Sequence, residues 1–244
     1  MPQLRWKLFE LFDIPVCIDV TFAILLFIFA SSGESFVVGL MQAIILAFSI
    51  IAHEYGHALT GRAFGCETST ITLSFIGGCA SMTSMPRKGW QEFLVAAAGP
   101  LVSFVLAGIG WLLVEFLPFR SFYELYPFAC LMWLNFVLGV FNLMPGFPMD
   151  GGRIFRSVLM HFVSRPKATL VAMWVGRAFA VVLALSGFYA MYKGGNWAFV
   201  RIFIAWMIWN EGYREYQLAL MESSWDHYDF RAKVSPPPYE KDDE

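Results

Sequence analysis

Long blocks of apolar residues, separated by short polar connections, dominate the chain. A helix needs about 20 consecutive apolar residues to cross the ~30 Å hydrocarbon core of a bilayer, and six blocks meet or approach this length. These blocks are residues 14–31, 36–60, 93–117, 128–144, 169–192 and 196–212. The pattern predicts an all-α polytopic membrane protein with about six transmembrane helices.

Composition agrees with this prediction and adds a boundary near the end of the chain. Of the 244 residues, 58% are hydrophobic and only 15% are charged. From residue 222 onward the sequence changes to ESSWDHYDFRAKVSPPPYEKDDE, and a segment this rich in charge and proline is typical of disorder. We therefore expect one membrane core, residues 1–221, followed by a disordered tail, residues 222–244.

Basic residues are distributed unevenly between the two sides of a six-span arrangement. Cytoplasmic loops retain an excess of Lys and Arg, so the richer side is expected to face the cytoplasm. That side carries Arg5, Lys7, Arg62, Arg87, Lys88, Arg153, Arg156, Arg165, Lys167 and Arg214. Only Arg120 and Lys193 clearly fall on the other side. The distribution predicts that both termini lie in the cytoplasm.

The net charge and the cysteine spacing argue against a nucleic-acid partner and against sites built from cysteines. The formal net charge is -2 and there is no Lys/Arg-rich block, so a nucleic-acid partner is not expected. The four cysteines, at positions 17, 66, 79 and 130, have no CxxC spacing. A disulfide framework or a thiolate zinc site is therefore not expected.

The second apolar block ends in IIAHEYGHALTGR, residues 51–63, which contains ionisable side chains inside a hydrophobic segment. On a helix, His53 and His57 lie on one face because they are four residues apart, and Glu54 lies beside the first. Two imidazoles in this arrangement can bind one zinc, with the glutamate placed to accept a proton from water. Chance histidines on a surface helix are the alternative, but ionisable groups at membrane depth are costly. The stretch predicts a metal site.

The depth of this site follows from the same helix. If Arg62 marks the cytoplasmic end of the second span, His57 lies roughly 7 Å and His53 roughly 13 Å inside it. Water must reach such a site through a polar cavity, because irregular or hydrated structure at this depth has to be enclosed by protein.

A catalytic zinc usually has three protein ligands, so a third one is needed. His161 and His227 follow the fourth span and lie in the tail, respectively, whereas Asp150 lies in NLMPGFPMDGGRIF, residues 142–155. Asp before Gly-Gly is a common turn or helix cap, and the local sequence alone favours that interpretation. Pro145 and Pro148, however, end the fourth helix, and irregular backbone at membrane depth must be buried or line a cavity. Asp150 could then turn back toward the histidines.

Four patches resemble the site-2 protease family of intramembrane zinc metalloproteases. HEYGH at 53–57 is similar to the zinc helix of that family, and NLMPGFPMDGG at 142–152 resembles its Asn-x-x-Pro...Asp-Gly motif. FIGGCA at 75–80 and AAAGPLVSF at 96–104 resemble two further segments in the same order. The first two patches are specific as a pair. The last two are weak evidence alone, because small residues in a membrane helix more often indicate close helix packing.

The resemblance implies specific roles for these residues. His53, His57 and Asp150 would bind one zinc per chain, Glu54 would be the general base, and Asn142 would position or polarise the scissile carbonyl. The implied substrate is a single-pass membrane protein, cut within or near its transmembrane helix in a prokaryotic cell membrane. Membrane lipid would be the other partner.

A β-branched segment, TITLSF at 70–75, precedes Gly77 and Gly78 and predicts a short strand or hairpin beside the active site. A plain connecting loop is the alternative. In the family that this chain resembles, the region is associated with holding the substrate in extended form.

The chain is expected to be a bare catalytic core, because the 61–92 connection and the part of the chain after the sixth predicted span are each only about 30 residues long, too short for a further domain. Any regulator would then be a separate protein or the membrane itself. Two other function classes stay open: a transporter, for which inverted repeats would be expected but are not found, and a non-proteolytic zinc-binding scaffold, which would not need Glu54.

Overall fold

The computed structural model of the chain describes residues 5–32, 35–74, 77–82, 86, 88–119, 121–194 and 198–234. The chain divides into two compact units, Met1–Met144 and Pro145–Glu244.

The first unit combines a small sheet with four helices. Its elements, in chain order, are β1 (Arg5–Leu11), β2 (Ile14–Asp19), α1 (Val20–Ser32), α2 (Phe36–Ala63), β3 (Thr68–Ser74), β4 (Gly77–Met82), α3 (Gly89–Phe116) and α4 (Phe122–Asn142). Serine caps begin two of the long helices: Ser35 Oγ accepts from the backbone N–H of Val38, and Ser121 Oγ accepts from that of Glu124. These caps satisfy backbone donors that a helix start leaves unpaired.

The four strands form one sheet in the order β1-β2-β3-β4. β1 pairs antiparallel with β2, β2 pairs parallel with β3, and β3 pairs antiparallel with β4. The turn between β1 and β2 consists of Phe12 and Asp13, both with positive φ (52° and 57°), as a type I′ hairpin turn requires.

The sheet packs against the helix that carries HEYGH. The core cluster takes buried side chains from β2, α1, α2 and β3: Ile14, Val16, Phe22, Ile50, Tyr55, Ala58, Ile71 and Leu73. The Tyr55 hydroxyl donates to the backbone oxygens of Leu11 and Ile14, both at 3.2 Å, and Arg62 donates to that of Phe12. These hydrogen bonds therefore hold the β1–β2 turn against α2, on the side of the helix away from the histidines.

The second unit is helical in its described part. It contains α5 (Asp150–Leu159), α6 (Arg165–Tyr192) and α7 (Ala198–Val234). Pro166 lies in the first turn of α6, where its missing N–H costs nothing. An ion pair between Arg165 Nε and Glu222 Oε2, at 3.3 Å, joins the start of α6 to the far part of α7.

Four helices in the described part of the chain are long and apolar enough to span a membrane: Phe36–Ala63, Gly89–Phe116, Phe122–Asn142 and Arg165–Tyr192. They carry many exposed large apolar side chains, such as Phe36, Leu101, Trp133 and Val182, as helices in hydrocarbon do. The prediction of a mainly helical, multi-pass membrane protein is confirmed, and the number of six spans is not.

The first predicted span, 14–31, is divided in the structure. Residues 14–19 form β2, with inward-facing Ile14 and Val16 fully buried, and α1 is only 13 residues long. At ~1.5 Å per residue α1 covers about 20 Å, less than the hydrocarbon thickness. A short apolar run fits a buried strand as well as a helix, so hydropathy alone could not separate the two.

The end of the chain also differs from expectation. The sixth predicted span, 196–212, overlaps α7, which is not among the four helices that meet the span criteria. α7 continues to Val234, so residues 222–234 of the predicted disordered tail are helical, and residues 235–244 lie outside the described residues. The prediction of one core over 1–221 stays a prediction.

Candidate metal centre

Helix α2 places His53, Glu54 and His57 inside the first unit, where they are 4%, 9% and 7% exposed. The Nε2 atoms of the two histidines lie 3.2 Å apart, and the two rings are arranged edge to face. Their i, i+4 spacing on a continuous helix accounts for this convergence. The predicted geometry of HEYGH is therefore present in the structure.

Helix α3 holds both imidazole rings by their other nitrogens. His57 Nδ1 lies 2.8 Å from the carbonyl oxygen of Val95, which can only accept, so Nδ1 carries the hydrogen and Nε2 carries the lone pair. His53 Nδ1 lies 2.9 Å from Oγ of Ser103, which is fully buried. Metal-binding histidines almost always have such a partner, because it fixes the tautomer and the ring orientation.

Gly99 lies midway between these two partners on α3, four residues from each, and faces the histidines. A Cβ built on Gly99 would overlap with Nε2 of His57 and would lie 2.7 Å from Nε2 of His53. Any side chain there would occupy the space between the imidazoles and α3. The AAAGPLVSF patch thus lets α3 approach α2 at the two histidines.

Strand β4 approaches the same helix at Glu54. A Cβ built on Gly78 would overlap with Cγ of Glu54 and would lie 2.7 Å from its Oε1. The predicted strand over 70–75 is confirmed as β3, Thr68–Ser74, although Phe75 lies outside the described residues. β4 is an end strand of the four-stranded sheet, so the predicted hairpin lies beside Glu54.

The two imidazoles fit a zinc ion by a direct geometric test. Two nitrogen ligands, each about 2.0–2.1 Å from a tetrahedral zinc, lie about 3.3 Å apart. The observed Nε2–Nε2 separation is 3.2 Å, and the lone pair of His57 Nε2 points into the gap. Two imidazole nitrogens and a carboxylate oxygen are also the ligand types of known catalytic zinc sites.

Asp150 belongs to the second unit, where it is buried and is the first residue of α5. The residue in the capping position is Met149, so Asp150 is not the N-cap that its local sequence favoured. α4 ends at Asn142, two residues before the end of the predicted span 128–144, and residues 143–149 form no regular element before α5 begins, as Pro145 and Pro148 predicted. Asp150 offers a carboxylate oxygen, a ligand type found beside two histidines in known catalytic zinc sites.

An ion-pair network fixes the helix that begins with Asp150. Arg153 and Arg156 of α5 each lie 3.2 Å from an oxygen of Glu215 on α7, and the Arg156 side chain is only 2% exposed. The Arg156 guanidinium also stacks over the buried ring of Phe147, at 4.9 Å from its centroid. Burial favours the neutral form of Glu215, but the two guanidinium groups outweigh it and hold the pKa of this carboxyl below its ordinary value.

Asn142 is the last residue of α4 and is half-buried. Its Nδ2 donates to the carbonyl oxygen of Leu138 at 3.0 Å, one turn earlier in the same helix. Its predicted role at the scissile carbonyl stays a prediction. Of the other histidines, His161 has its Nδ1 3.3 Å from the oxygen of Ser157, and the side chain of His227 lies outside the described residues.

Apolar helices long enough to span a membrane and a buried His-Glu-His helix beside a small sheet define a membrane protein with a candidate metal centre. Residues 41–126 and 121–185, more than half of the chain, match the sequence model of Peptidase family M50. The chain belongs to this family.

Individual relatives agree with this assignment. The chain is 35% identical over 192 residues to a zinc metalloprotease of Methanocaldococcus jannaschii, covering 76% of this chain and 54% of that protein. It is 30% identical over 132 residues to stage IV sporulation protein FB of Bacillus subtilis, covering 52% and 44%. The site-2 protease structure from M. jannaschii superposes with a TM-score of 0.67 and 29% identity, covering 87% of this chain and 95% of that one.

The chain spans about half the length of these two curated relatives. Their names describe zinc metalloproteolysis and sporulation, and these descriptions apply to the relatives themselves. For this chain, the comparisons establish the family and the fold.

Proposed function

We propose that this chain is an intramembrane zinc metalloprotease that hydrolyses a peptide bond within or near the transmembrane helix of a single-pass membrane protein. The observation that carries the proposal is the pair of converging Nε2 atoms, 3.2 Å apart, with Glu54 in the next position of the same buried helix. A purely structural metal site would not need a carboxylate there.

In this proposal His53, His57 and Asp150 hold one zinc per chain. A zinc bound there supplies a Lewis acid that lowers the pKa of water toward ~7 and polarises a peptide carbonyl. Glu54 accepts the proton of the attacking water and then delivers it to the leaving amine. Ser103 and the Val95 carbonyl keep the two imidazoles in the orientation that the reaction requires.

The substrate would bind in extended form along strand β4. Among the described strands, β4 pairs with β3 alone, and it passes over Glu54 at Gly78, so a peptide added to its other edge would lie against the general base. The Asn142 amide would support the scissile carbonyl after leaving its contact with Leu138. Because the three residues on α2 are at most 9% exposed, entry of substrate requires surrounding elements to open.

The cellular setting is also part of the proposal. Basic residues near the end of α2 and around α5, including Arg62, Arg153 and Arg156, support a cytoplasmic location for that side and for both termini. We place the protein in a prokaryotic cell membrane, in contact with membrane lipid and with no nucleic-acid partner. A separate regulatory protein or the membrane itself would control its activity.

The substitution Glu54→Gln tests the proposal in a way that does not depend on the identity of the substrate. New protein N-termini are mapped by mass spectrometry in membranes that contain either the wild type or the variant, and zinc is measured on the purified proteins. N-termini within or next to transmembrane segments should appear only with the wild type, while both proteins retain zinc. Glu115→Gln is the matched control, because Glu115 is an exposed glutamate near the C-terminal end of α3. This variant should behave as wild type.

Identical N-termini with the wild type and with Glu54→Gln would contradict proteolysis. With zinc still bound, that result would favour the alternative, a non-proteolytic zinc-binding membrane scaffold or transporter.

A further inference from the structure

Arg177 lies on α6 inside the second unit, within a segment that is apolar enough to span a membrane. Three aromatic rings surround its guanidinium group. The guanidinium carbon lies 4.5 Å from the ring centroid of Trp209, 5.2 Å from that of Trp174 and 5.8 Å from that of Tyr213. Aromatic faces attract a cation through their quadrupole, which explains the arrangement.

The aromatic rings leave the positive charge of Arg177 uncompensated. Within the described part of the chain, Arg177 has no ion pair, and its buried Nε–H has no hydrogen-bond acceptor. Three carboxylates in the described part of α7 pair with other arginines: Glu211 with Arg214, Glu215 with Arg153 and Arg156, and Glu222 with Arg165. A guanidinium group without an ion pair in the described part of the chain can bind an anion from outside it.

The cage lies at the level where the apolar part of α7 ends. On α7, Trp209 is followed by Asn210, Glu211 and Arg214, so the apolar part of that helix ends at the level of the cage. Trp and Tyr are enriched at this level of the bilayer, where an Arg head group can reach the lipid phosphates. The three rings are exposed by 56% (Trp174), 41% (Trp209) and 49% (Tyr213), so the cage is accessible from outside the protein.

An exposed aromatic stripe extends from the cage toward the start of α7. Phe203, Trp206 and Trp209 follow one another at three-residue spacing and thus share a helix face, and the rings of Phe203 and Trp206 contact each other at 5.9 Å. All three side chains are exposed. A charged cage at the interface and an apolar stripe leading into the hydrocarbon complement a molecule with an anionic head and an acyl chain.

We propose that Arg177, Trp174, Trp209 and Tyr213 form a binding site for an anionic phospholipid. The two Nη groups of Arg177 donate to two phosphate oxygens in a bidentate geometry that guanidinium groups favour. The rings orient the guanidinium, and the stripe from Trp209 to Phe203 contacts an acyl chain. The stripe is the reason for assigning a lipid rather than a soluble phosphate compound.

Native mass spectrometry tests this site on the full chain purified in detergent and titrated with phosphatidylglycerol or phosphatidylcholine. The wild type should bind phosphatidylglycerol more tightly. Arg177→Gln should weaken phosphatidylglycerol binding at least about fivefold, the effect of one cationic contact with anionic lipid, and leave phosphatidylcholine binding unchanged. Arg214→Gln is the matched control, because Arg214 is exposed on α7 near the cage but already pairs with Glu211 at 2.7 Å.

Three outcomes would overturn the proposal: phosphatidylglycerol binding of Arg177→Gln equal to that of wild type, equal losses in Arg177→Gln and Arg214→Gln, or displacement of the lipid by millimolar inorganic phosphate. The second would show general surface charge, and the third a soluble anion site. If Arg177→Gln fails to fold, Arg177→Lys decides, since lysine keeps the charge without the bidentate fork. It should still bind phosphatidylglycerol more weakly than the wild type does, and unchanged binding would contradict the site.

Discussion

The Ser103 hydroxyl holds a predicted metal ligand in place through its contact with His53 Nδ1, at 2.9 Å. Replacing Ser103 with alanine removes this partner with little change in volume. Ser103→Ala should therefore lower zinc affinity about 10–100-fold, the usual effect of losing such a partner, while the fold is retained. Competition with a chromogenic chelator measures the affinity.

Ser49→Ala is the matched control for this prediction. Ser49 is also fully buried, on α2, but its hydroxyl donates to the Ile45 oxygen and accepts from the Asn135 amide instead of contacting a histidine. Its loss should change stability and leave zinc affinity as in wild type. Equal zinc affinities for Ser103→Ala and wild type would show that the Ser103 contact does not position His53.

Asp150 is the proposed third ligand, and its two interpretations predict different results for Asp150→Asn. As a helix-start residue alone it would tolerate asparagine well, since asparagine favours helix starts about as strongly. As a ligand it would lose its anionic oxygen, so zinc content and cleavage should both fall sharply. Asp150→Glu moves the carboxylate by roughly 1.5 Å, more than the ~0.2 Å that metal geometry tolerates, and should also lose most activity.

Metal analysis and mapping of new N-termini check this prediction. Asp13→Asn is the control, because Asp13 is an exposed aspartate in the β1–β2 turn. Wild-type zinc content and cleavage in Asp150→Asn would remove the third ligand from the proposed centre.

Some residues of the candidate site could be predicted from their spacing in the sequence, and others could not. His53, Glu54 and His57 could be placed from sequence because four residues on one helix determine their relative positions. Ser103 could not, because its contact with His53 depends on how α3 packs against α2, 50 residues away. A signal was present in the four-residue spacing of Val95, Gly99 and Ser103, which puts all three on one face of α3.

At the scale of elements, Glu215 connects α7 to the helix that carries Asp150. Glu215→Gln would remove the carboxylate that pairs with Arg156, whose side chain is 2% exposed. Removing one member of a buried pair typically costs about 3 kcal/mol, so the midpoint of thermal unfolding should fall clearly at neutral pH. Glu211→Gln breaks the exposed pair with Arg214 and should have almost no effect.

The lowered pKa of Glu215 predicts that the effect of Glu215→Gln on stability depends on pH. The folded-state pKa of Glu215 is lowered from 4.5, so its contribution to stability is present above that value and is lost as the pH falls through the lowered pKa. The difference in unfolding midpoint between wild type and Glu215→Gln should therefore narrow from neutral pH to about pH 3. A difference that stays constant over this range would show that the ion pairs do not stabilise the fold.

Long helices were predictable as elements, whereas the sheet was only partly so. The strongly apolar blocks at 36–60, 93–117, 128–144 and 169–192 all fall in spanning helices, because their length alone separates them from strands. β1 contains charged residues and β2 continues without a break into α1, so neither the composition nor the length of that region indicated strands. Their pairing depends on β3, which follows about 50 residues later.

At the scale of the whole molecule, the proposed orientation can be tested on the α6–α7 pair. Lys193 caps the end of α6, and Ser224 lies on α7 next to Glu222, which pairs with the start of α6. The two positions thus mark opposite ends of this pair. With cysteines introduced singly into a cysteine-free background, an impermeant maleimide added to intact cells should label position 193 and not position 224.

Lysed cells provide the control, since both positions should then react. Labelling of 224 alone in intact cells would reverse the orientation and place both the Arg-rich side and Ser224 outside.

The close approach of Gly99 to both imidazoles affects how the results of a mutational screen of the whole chain should be interpreted. In a saturation screen for function, Gly99 should tolerate as few replacements as His53 or Glu54, because even a methyl group there overlaps with a histidine ring. Its intolerance would have the statistical signature of a catalytic residue, although glycine takes part in no chemical step. A fitness map alone would therefore count Gly99 among the catalytic residues. The three-dimensional structure shows instead that Gly99 is required because a side chain there would overlap with the histidines.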